Sequence, residues 1–155
     1  FDLPYTIVRP SALYGERCVS RRVGQAFIEN AMKGVDLSIN GDGSDRLDFT
    51  YIGDLIQGFV RCLYYPEAHN QVFNLTFGNG RSISELADIV REHFPDIKVS
   101  YQQRDSLMPE RGTLSNLKAR DLLNFQPSYP LETGFVEYIE WYKRKANELP
   151  LLFPR

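Results

Sequence analysis

Five arginines, Arg21, Arg22, Arg46, Arg104 and Arg111, lie in stretches that read as loops or as the start of a helix rather than on an amphipathic helical face. A guanidinium offers paired donors that match phosphate oxygens, and a helix beginning near Val23 would add its own backbone N–H groups, so arginines placed this way suit an anion. The same residue type also serves as ordinary solvated surface. Other pairings carry less chemistry. Gly78-Asn79-Gly80 sits between a strand-like and a helix-like run, as a dinucleotide-binding loop does, but Ile83 stands where the third glycine belongs and the segment reads as a tight turn. Gly41-Asp42-Gly43 has Arg46 at the same place, and as a calcium loop it ends on Tyr51 instead of a closing glutamate. Tyr5 and Arg9 have the spacing of a catalytic Tyr/Lys pair, which needs a helical turn, whereas this segment is extended; an arginine also does not replace the lysine. His69 and His93 have no cysteine, histidine or carboxylate at ligand spacing, so no metal site is expected.

These residues need elements to position them. Tyr5-Thr6-Ile7-Val8-Arg9 is β-branched and aromatic, and Pro10 ends it, which predicts a buried strand running into a loop. Val23, Phe27, Ile28 and Ala31 share one helical face over 23–33, with Gly34 at the C-terminal cap. Leu37-Ser38-Ile39 predicts a short strand, the 41–45 cluster a turn, and Asp48 to Ile52 a further extended stretch. Asp54 is placed to cap a helix carrying Leu55, Ile56, Phe59, Val60 and Leu63, stopped at Pro66. Val72 to Phe77 predicts a strand, and Ser82 with Glu85 has capping-box spacing for a helix whose stripe is Leu86, Ile89, Val90 and Phe94. Ile97 to Tyr101 predicts a strand, 102–115 a long polar loop suited to binding, and two helices close the chain, the last over 131–147 with a solvated Lys143-Arg144-Lys145 end. Alternating strands and helices make the class α/β.

The chain of 155 residues, 43% hydrophobic and 25% charged, has the composition of one globular unit. With 18 Lys+Arg against 20 Asp+Glu there is no basic field to hold a nucleic acid. No apolar run is long enough to span a bilayer, so neither nucleic acid nor membrane is an expected partner. Two distant cysteines, Cys18 and Cys62, fit a reducing compartment, and cytoplasm is the expected location. The chain starts at Phe1 and enters a strand almost at once, from which we expect it to be the back part of a longer protein.

Several of these segments together resemble the extended short-chain dehydrogenase/reductases, specifically the NAD-dependent epimerase/dehydratase family acting on nucleotide sugars. Arg9-Pro10-Ser11-Ala12-Leu13-Tyr14-Gly15 is similar to the family's R-P-x-x-x-Y-G strand end. Gly41-Asp42-Gly43, followed by Asp48-Phe49-Thr50-Tyr51-Ile52-Gly53-Asp54, is similar to its G-D-G…R-D-F-x-Y-V-x-D stretch. Phe73-Asn74-Leu75, Ser82-Ile83-x-Glu85-Leu86, and Lys118-Ala119-Arg120 leading to Leu123 and Pro127 follow in family order. The resemblance covers nearly the whole chain. It departs at Ala12, where the family often has asparagine, and at Leu47, where arginine precedes the aspartate; the guanidinium is one place earlier, at Arg46. A one-residue shift on a strand turns a side chain to the other face. The late loop, Arg104 to Gly112, also differs from the family's R-P-G-D.

The resemblance implies the last part of a Rossmann-type doubly wound parallel sheet plus a small α/β substrate-binding domain. The expected organisation of residues 1–155 mixes final Rossmann strands, about 5–9 and 72–77, with the substrate-binding subdomain, while the NAD-binding part with its catalytic Tyr-x-x-x-Lys lies ahead of Phe1. No catalytic or metal-binding residue is then expected in this chain. Pro10 and Ser11 are expected to flank the cofactor, NAD with NADP as the variant. Tyr14, Arg21, Arg22, Ser38, Asn40, Arg46 and Arg111 are expected to bind the nucleotide-sugar substrate: Ser38 and Asn40 at the base, Tyr14 near the sugar, the arginines at phosphate or ribose. The implied activity is hydride transfer through a transient keto-sugar, by a homodimeric full-length enzyme, with this chain inactive alone. The alternatives are an NADP-linked carbonyl reductase of the same superfamily and a non-catalytic nucleotide-sugar-binding module.

Overall fold

A computed structural model describes residues 2–18, 20–109 and 111–148. The strands are β1 (Thr6–Arg9), β2 (Ala12–Tyr14), β3 (Leu37–Asn40), β4 (Arg46–Leu47), β5 (Phe49–Tyr51), β6 (Gln71–Asn74), β7 (Arg81–Ser82) and β8 (Val99–Gln102). The helices are α1 (Val23–Met32), α2 (Ile52–Tyr64), α3 (Ile83–His93), α4 (Leu117–Leu123) and α5 (Leu131–Glu148). Three strand pairs are parallel, β1 with β6, β2 with β5 and β3 with β8, while β4 and β7 run antiparallel. Parallel neighbours require crossover connections, which here contain helices; the α/β class follows directly.

The β3 pattern places Leu37 and Ile39 inward and exposes Ser38 and Asn40, the alternation of a strand with one covered face. β3 pairs with β8 in the register Leu37↔Val99 to Asn40↔Gln102. On α1, Phe27, Ile28 and Ala31 are buried as the spacing predicts, and Gly34 follows at φ +70°, the left-handed turn that glycine tolerates without strain. Leu131, Phe135, Ile139 and Tyr142 of α5 are all buried.

The capping box of α3 is formed on both sides: the Ser82 hydroxyl accepts from the Glu85 amide at 3.1 Å, and the Glu85 carboxylate accepts from the Ser82 amide at 2.6 Å. The Ser82 amide, and then the Arg81 guanidinium, hold the Glu85 carboxyl below its ordinary range. A lowered folded-state value means that this stabilisation is present at neutral pH and lost as pH falls through the carboxylate range. Glu85→Ala is therefore expected to cost about 1 kcal/mol near pH 7 by urea unfolding, and less as the medium is acidified. An equal cost at both pH values would remove the carboxylate from the cap.

Two expectations are corrected. Asp54 does not cap α2, because the helix begins two residues earlier, at Ile52. Its buried carboxylate instead accepts the amides of Ser128 and Tyr129, at 2.8 and 3.0 Å, and ties α2 to the segment entering α5. The face that α2 buries is Asp54, Leu55, Gly58 and Cys62, leaving Ile56, Phe59, Val60 and Leu63 exposed. Gly58 explains the choice of face: a Cβ there would lie 2.6 Å from Leu75, so the helix sits too close for any side chain. Strand ends also move by a few residues; the 72–77 strand stops at Asn74, and the 97–101 strand runs from Val99 to Gln102.

The core has two clusters. One gathers Tyr14, Phe27, Leu37, Ile39, Phe49, Phe135 and Tyr138 with neighbours from α3. The other packs Leu55, Phe73, Leu75, Leu123 and Phe125 around the β1–β6 pair. The first forms the floor of the candidate site.

Candidate nucleotide-binding cavity

A cavity of about 330 Å³ opens between β2, the start of α1, β3, β4 and the late loop. Its inner wall is apolar, with Ala12, Val23, Phe27, Ile39, Leu47 and Phe49, and its rim carries Arg22, Arg46 and Arg111. Tyr14, Ser38 and Asn40 also line it. Most sequence-derived substrate candidates therefore meet at one place, although they come from five separate segments.

Three candidates lie elsewhere. Arg21, next to Arg22, turns back along α1, with its Nε 3.5 Å from a Glu29 carboxylate oxygen and an Nη donating to the Asn30 side chain at 3.4 Å. Pro10 and Ser11, between β1 and β2, are not among the residues lining this cavity.

The members do different work. Arg22 occupies the N-cap position of α1, where it supplies no side-chain acceptor, and the first turn holds no acidic residue. The positive end of α1 is thus left uncompensated at the cavity, beside an exposed guanidinium. Arg111 is exposed on the late loop, and its guanidinium has no hydrogen-bond or ion-pair partner among the described residues. Arg46 is already engaged, donating to the Gly80 carbonyl. Leu47, in place of the arginine common in the resembling family, makes that part of the wall apolar. Tyr14 contributes its ring, but its hydroxyl abuts Gly134 of α5, where any Cβ would clash, and has no hydrogen-bond partner among the described residues.

Sequence reasoning did not assign Cys18, Gln25, Met108 or Tyr138 to a binding site, although they also line the cavity. Gln25 has the clearest chemical potential of these, since its Nε2 donates to Glu29 at 2.7 Å while its buried Oε1 has no partner among the described residues and can accept from a ligand. Its place in the first turn of α1, two residues after Val23, is a helical-phase signal that the arginine pattern does not carry.

Neither tyrosine of the cavity is set up to transfer protons. Burial pushes the Tyr138 phenol up to about 12 and raises that of Tyr14 further, so both are neutral at physiological pH and neither serves as a base. Among the described residues no group of histidine, cysteine and acidic side chains could hold a metal ion. A dinucleotide cradle is also not formed at Gly78-Asn79-Gly80: the Gly78 amide is spent on Asp48 and the Gly80 amide on Thr113, at 3.1 and 2.7 Å. That turn therefore does not offer these two amides to a dinucleotide. No described helix is long and apolar enough to cross a membrane.

The chain is similar to known proteins in sequence and in fold. Residues 1–76 match the family model described as the NAD dependent epimerase/dehydratase family. The chain is 29% identical to a UDP-glucose 4-epimerase of Mycolicibacterium smegmatis, over 95% of the chain and 48% of that protein. It is 27% identical to a UDP-N-acetyl-alpha-D-glucosaminuronate decarboxylase of Bacillus cytotoxicus, over 94% of the chain and 48% of that protein. Among solved structures, an epimerase of Methanothermobacter thermautotrophicus superposes with a TM-score of 0.90 at 27% identity, covering 96% of this chain and 46% of that one. The chain thus spans about half the length of the relatives it matches. Residues 1–76 match the model of the NAD-dependent epimerase/dehydratase family, and motif order, fold and relatives make the rest of the chain similar to the same family.

Proposed function

We propose that this chain is the substrate-binding portion of an NAD-dependent enzyme that acts on a nucleotide sugar, with the 330 Å³ cavity holding the nucleoside diphosphate. The observation that carries the reading is the rim: the uncapped start of α1, Arg22 and the unpartnered Arg111 surround an apolar hollow bordered by the exposed polar side of β3. That combination suits a flat base below and a diphosphate above. The relatives' UDP-sugar names support uridine as the nucleoside.

The relatives are about twice as long as this chain, which supports a division in which the epimerase or dehydratase chemistry belongs to a part of the protein beyond the described residues, with Pro10 and Ser11 as this chain's contacts to NAD. A second feature supports such a division. β1 pairs with β6 alone among the described strands, Tyr5, Phe59 and Leu63 line a hollow beside it, and Ile7 of β1 with Ile56 and Val60 of α2 are exposed as well. Parallel strands are normally covered on both faces, so a further α/β unit carrying the cofactor is the covering that these apolar residues require. The full-length enzyme is proposed to be a homodimer, checked by light scattering.

Titration calorimetry of the full-length protein with UDP, uridine and inorganic phosphate tests the reading. UDP is expected to bind more tightly than either fragment, and absence of UDP binding overturns it. The 155-residue chain, supplied with NAD and UDP-glucose, is expected to show no turnover; steady product formation would place the catalytic groups within it.

A further inference from the structure

Asp48 is an acidic residue with no surface exposure, lying between β4 and β5, and none of the described ion pairs includes it. Its carboxylate accepts the Gly78 amide at 3.1 Å and the Leu114 amide at 3.3 Å, while its carbonyl accepts the amide of Ala12 at 3.0 Å. One residue therefore joins the cavity wall at β2, the turn after β6 and the root of the late loop, segments far apart in sequence. Neighbouring contacts strengthen the same junction. Thr113 accepts the Gly80 amide at 2.7 Å, and the buried Asn116 side chain donates to the Thr76 and Phe77 carbonyls at 2.8 and 3.1 Å. Arg46 adds its contact to Gly80.

The other end of the late loop is held separately. Arg104 pairs with Asp45 at 3.1 Å and donates to the Pro109 carbonyl at 3.4 Å. Arg111 stands between these two anchorages, with its own side chain unpartnered among the described residues. A buried carboxylate without a counter-charge is costly unless hydrogen bonds satisfy it, and the amides that satisfy Asp48 belong to the turn at Gly78 and to Leu114, three residues past Arg111.

We propose that Asp48 is a positioning residue for ligand binding: it holds residues 111–116 against the 78–80 turn so that Arg111 is presented to the cavity, and the Arg104–Asp45 pair serves as the second anchor. In this arrangement Arg46 belongs to the clasp rather than to the ligand contacts. The inference rests on the reading of the cavity as a nucleoside diphosphate site.

A double-mutant cycle on UDP affinity in the full-length protein tests it. Asp48→Asn keeps the size of the side chain but removes the charge and one acceptor, and is expected to weaken UDP binding by about tenfold. In an Arg111→Ala background the same change is expected to have almost no further effect, because its action passes through Arg111. A purely structural role predicts equal losses in both backgrounds, and that result, or an unchanged affinity for Asp48→Asn, overturns the proposal. Should Asp48→Asn not fold, Arg104→Gln at the partly exposed anchor gives the same cycle: a loss confined to the Arg111 background supports the proposal, and equal losses overturn it. Hydrogen exchange separates this outcome from failure of the functional reading. If the wild type binds no UDP, the nucleotide role falls; loss of amide protection at Gly78 and Leu114 in Asp48→Asn still reports whether the carboxylate holds the loop, and retained protection overturns that too.

Discussion

Arg111→Ala is expected to weaken UDP binding to the full-length protein by roughly 1.5–3 kcal/mol, about ten- to a hundredfold in dissociation constant, with little change in stability. The magnitude is that of a charge-assisted contact, and the small stability effect follows from an exposed loop side chain that packs against nothing in the core. Two features set Arg111 apart from the other rim arginines. Its backbone is held between two anchored ends, so the loop itself needs little ordering on binding, and no described carboxylate competes for the guanidinium. Arg46→Ala is expected to act differently, loosening the 80–113 junction as well as affinity. Isothermal titration of both variants, with thermal unfolding alongside, separates the roles. Equal UDP affinity for Arg111→Ala and wild type would move the phosphate contact to Arg22 and the α1 start.

The sequence carries local signals well and long-range ones poorly. The alternation at 37–40, the capping box at Ser82 and Glu85 and the apolar stripe of α5 are periodic or near-neighbour patterns, and each is present in the fold. On α2, by contrast, Ile56, Phe59, Val60 and Leu63 offer a second apolar side beside Leu55 and Cys62, so periodicity cannot choose between faces; the tight approach of Gly58 to Leu75 does. The arginine pattern found the rim but not its division of labour. Arg21 and Arg22 are adjacent and chemically alike, and only the entry angle into α1 sends one to Glu29 and leaves the other at the cavity. Arg46 looks like a displaced phosphate ligand because its partner, the Gly80 carbonyl, lies 34 residues away. Asp48 is legible as part of a motif, but its work depends on Leu114, 66 residues on, which no spacing rule connects to it.

Phe135→Ala is expected to have the largest effect on stability, about 3–5 kcal/mol, because it empties the centre of the cluster beneath the cavity. The ring is fully buried, packs at 5.7 Å from Tyr14 and 6.1 Å from Tyr138 between centroids, and presses against the first turn of α1. At Gly24 a Cβ would lie 2.9 Å from the Phe135 ring, so glycine is required there by contact and not by backbone angle. The α1 start that borders the cavity therefore rests directly on this ring, and its loss is expected to lower UDP affinity together with stability. A coupled pair checks the geometry. Gly24→Ala alone is expected to destabilise by about 1–3 kcal/mol through overpacking, and by clearly less once Phe135→Leu has removed the clashing ring edge. Urea unfolding of the two single variants and the double variant measures the coupling. Strict additivity would mean that α1 and α5 do not meet at this point, and the floor of the cavity would then have to be set by Phe27 and Phe49 instead.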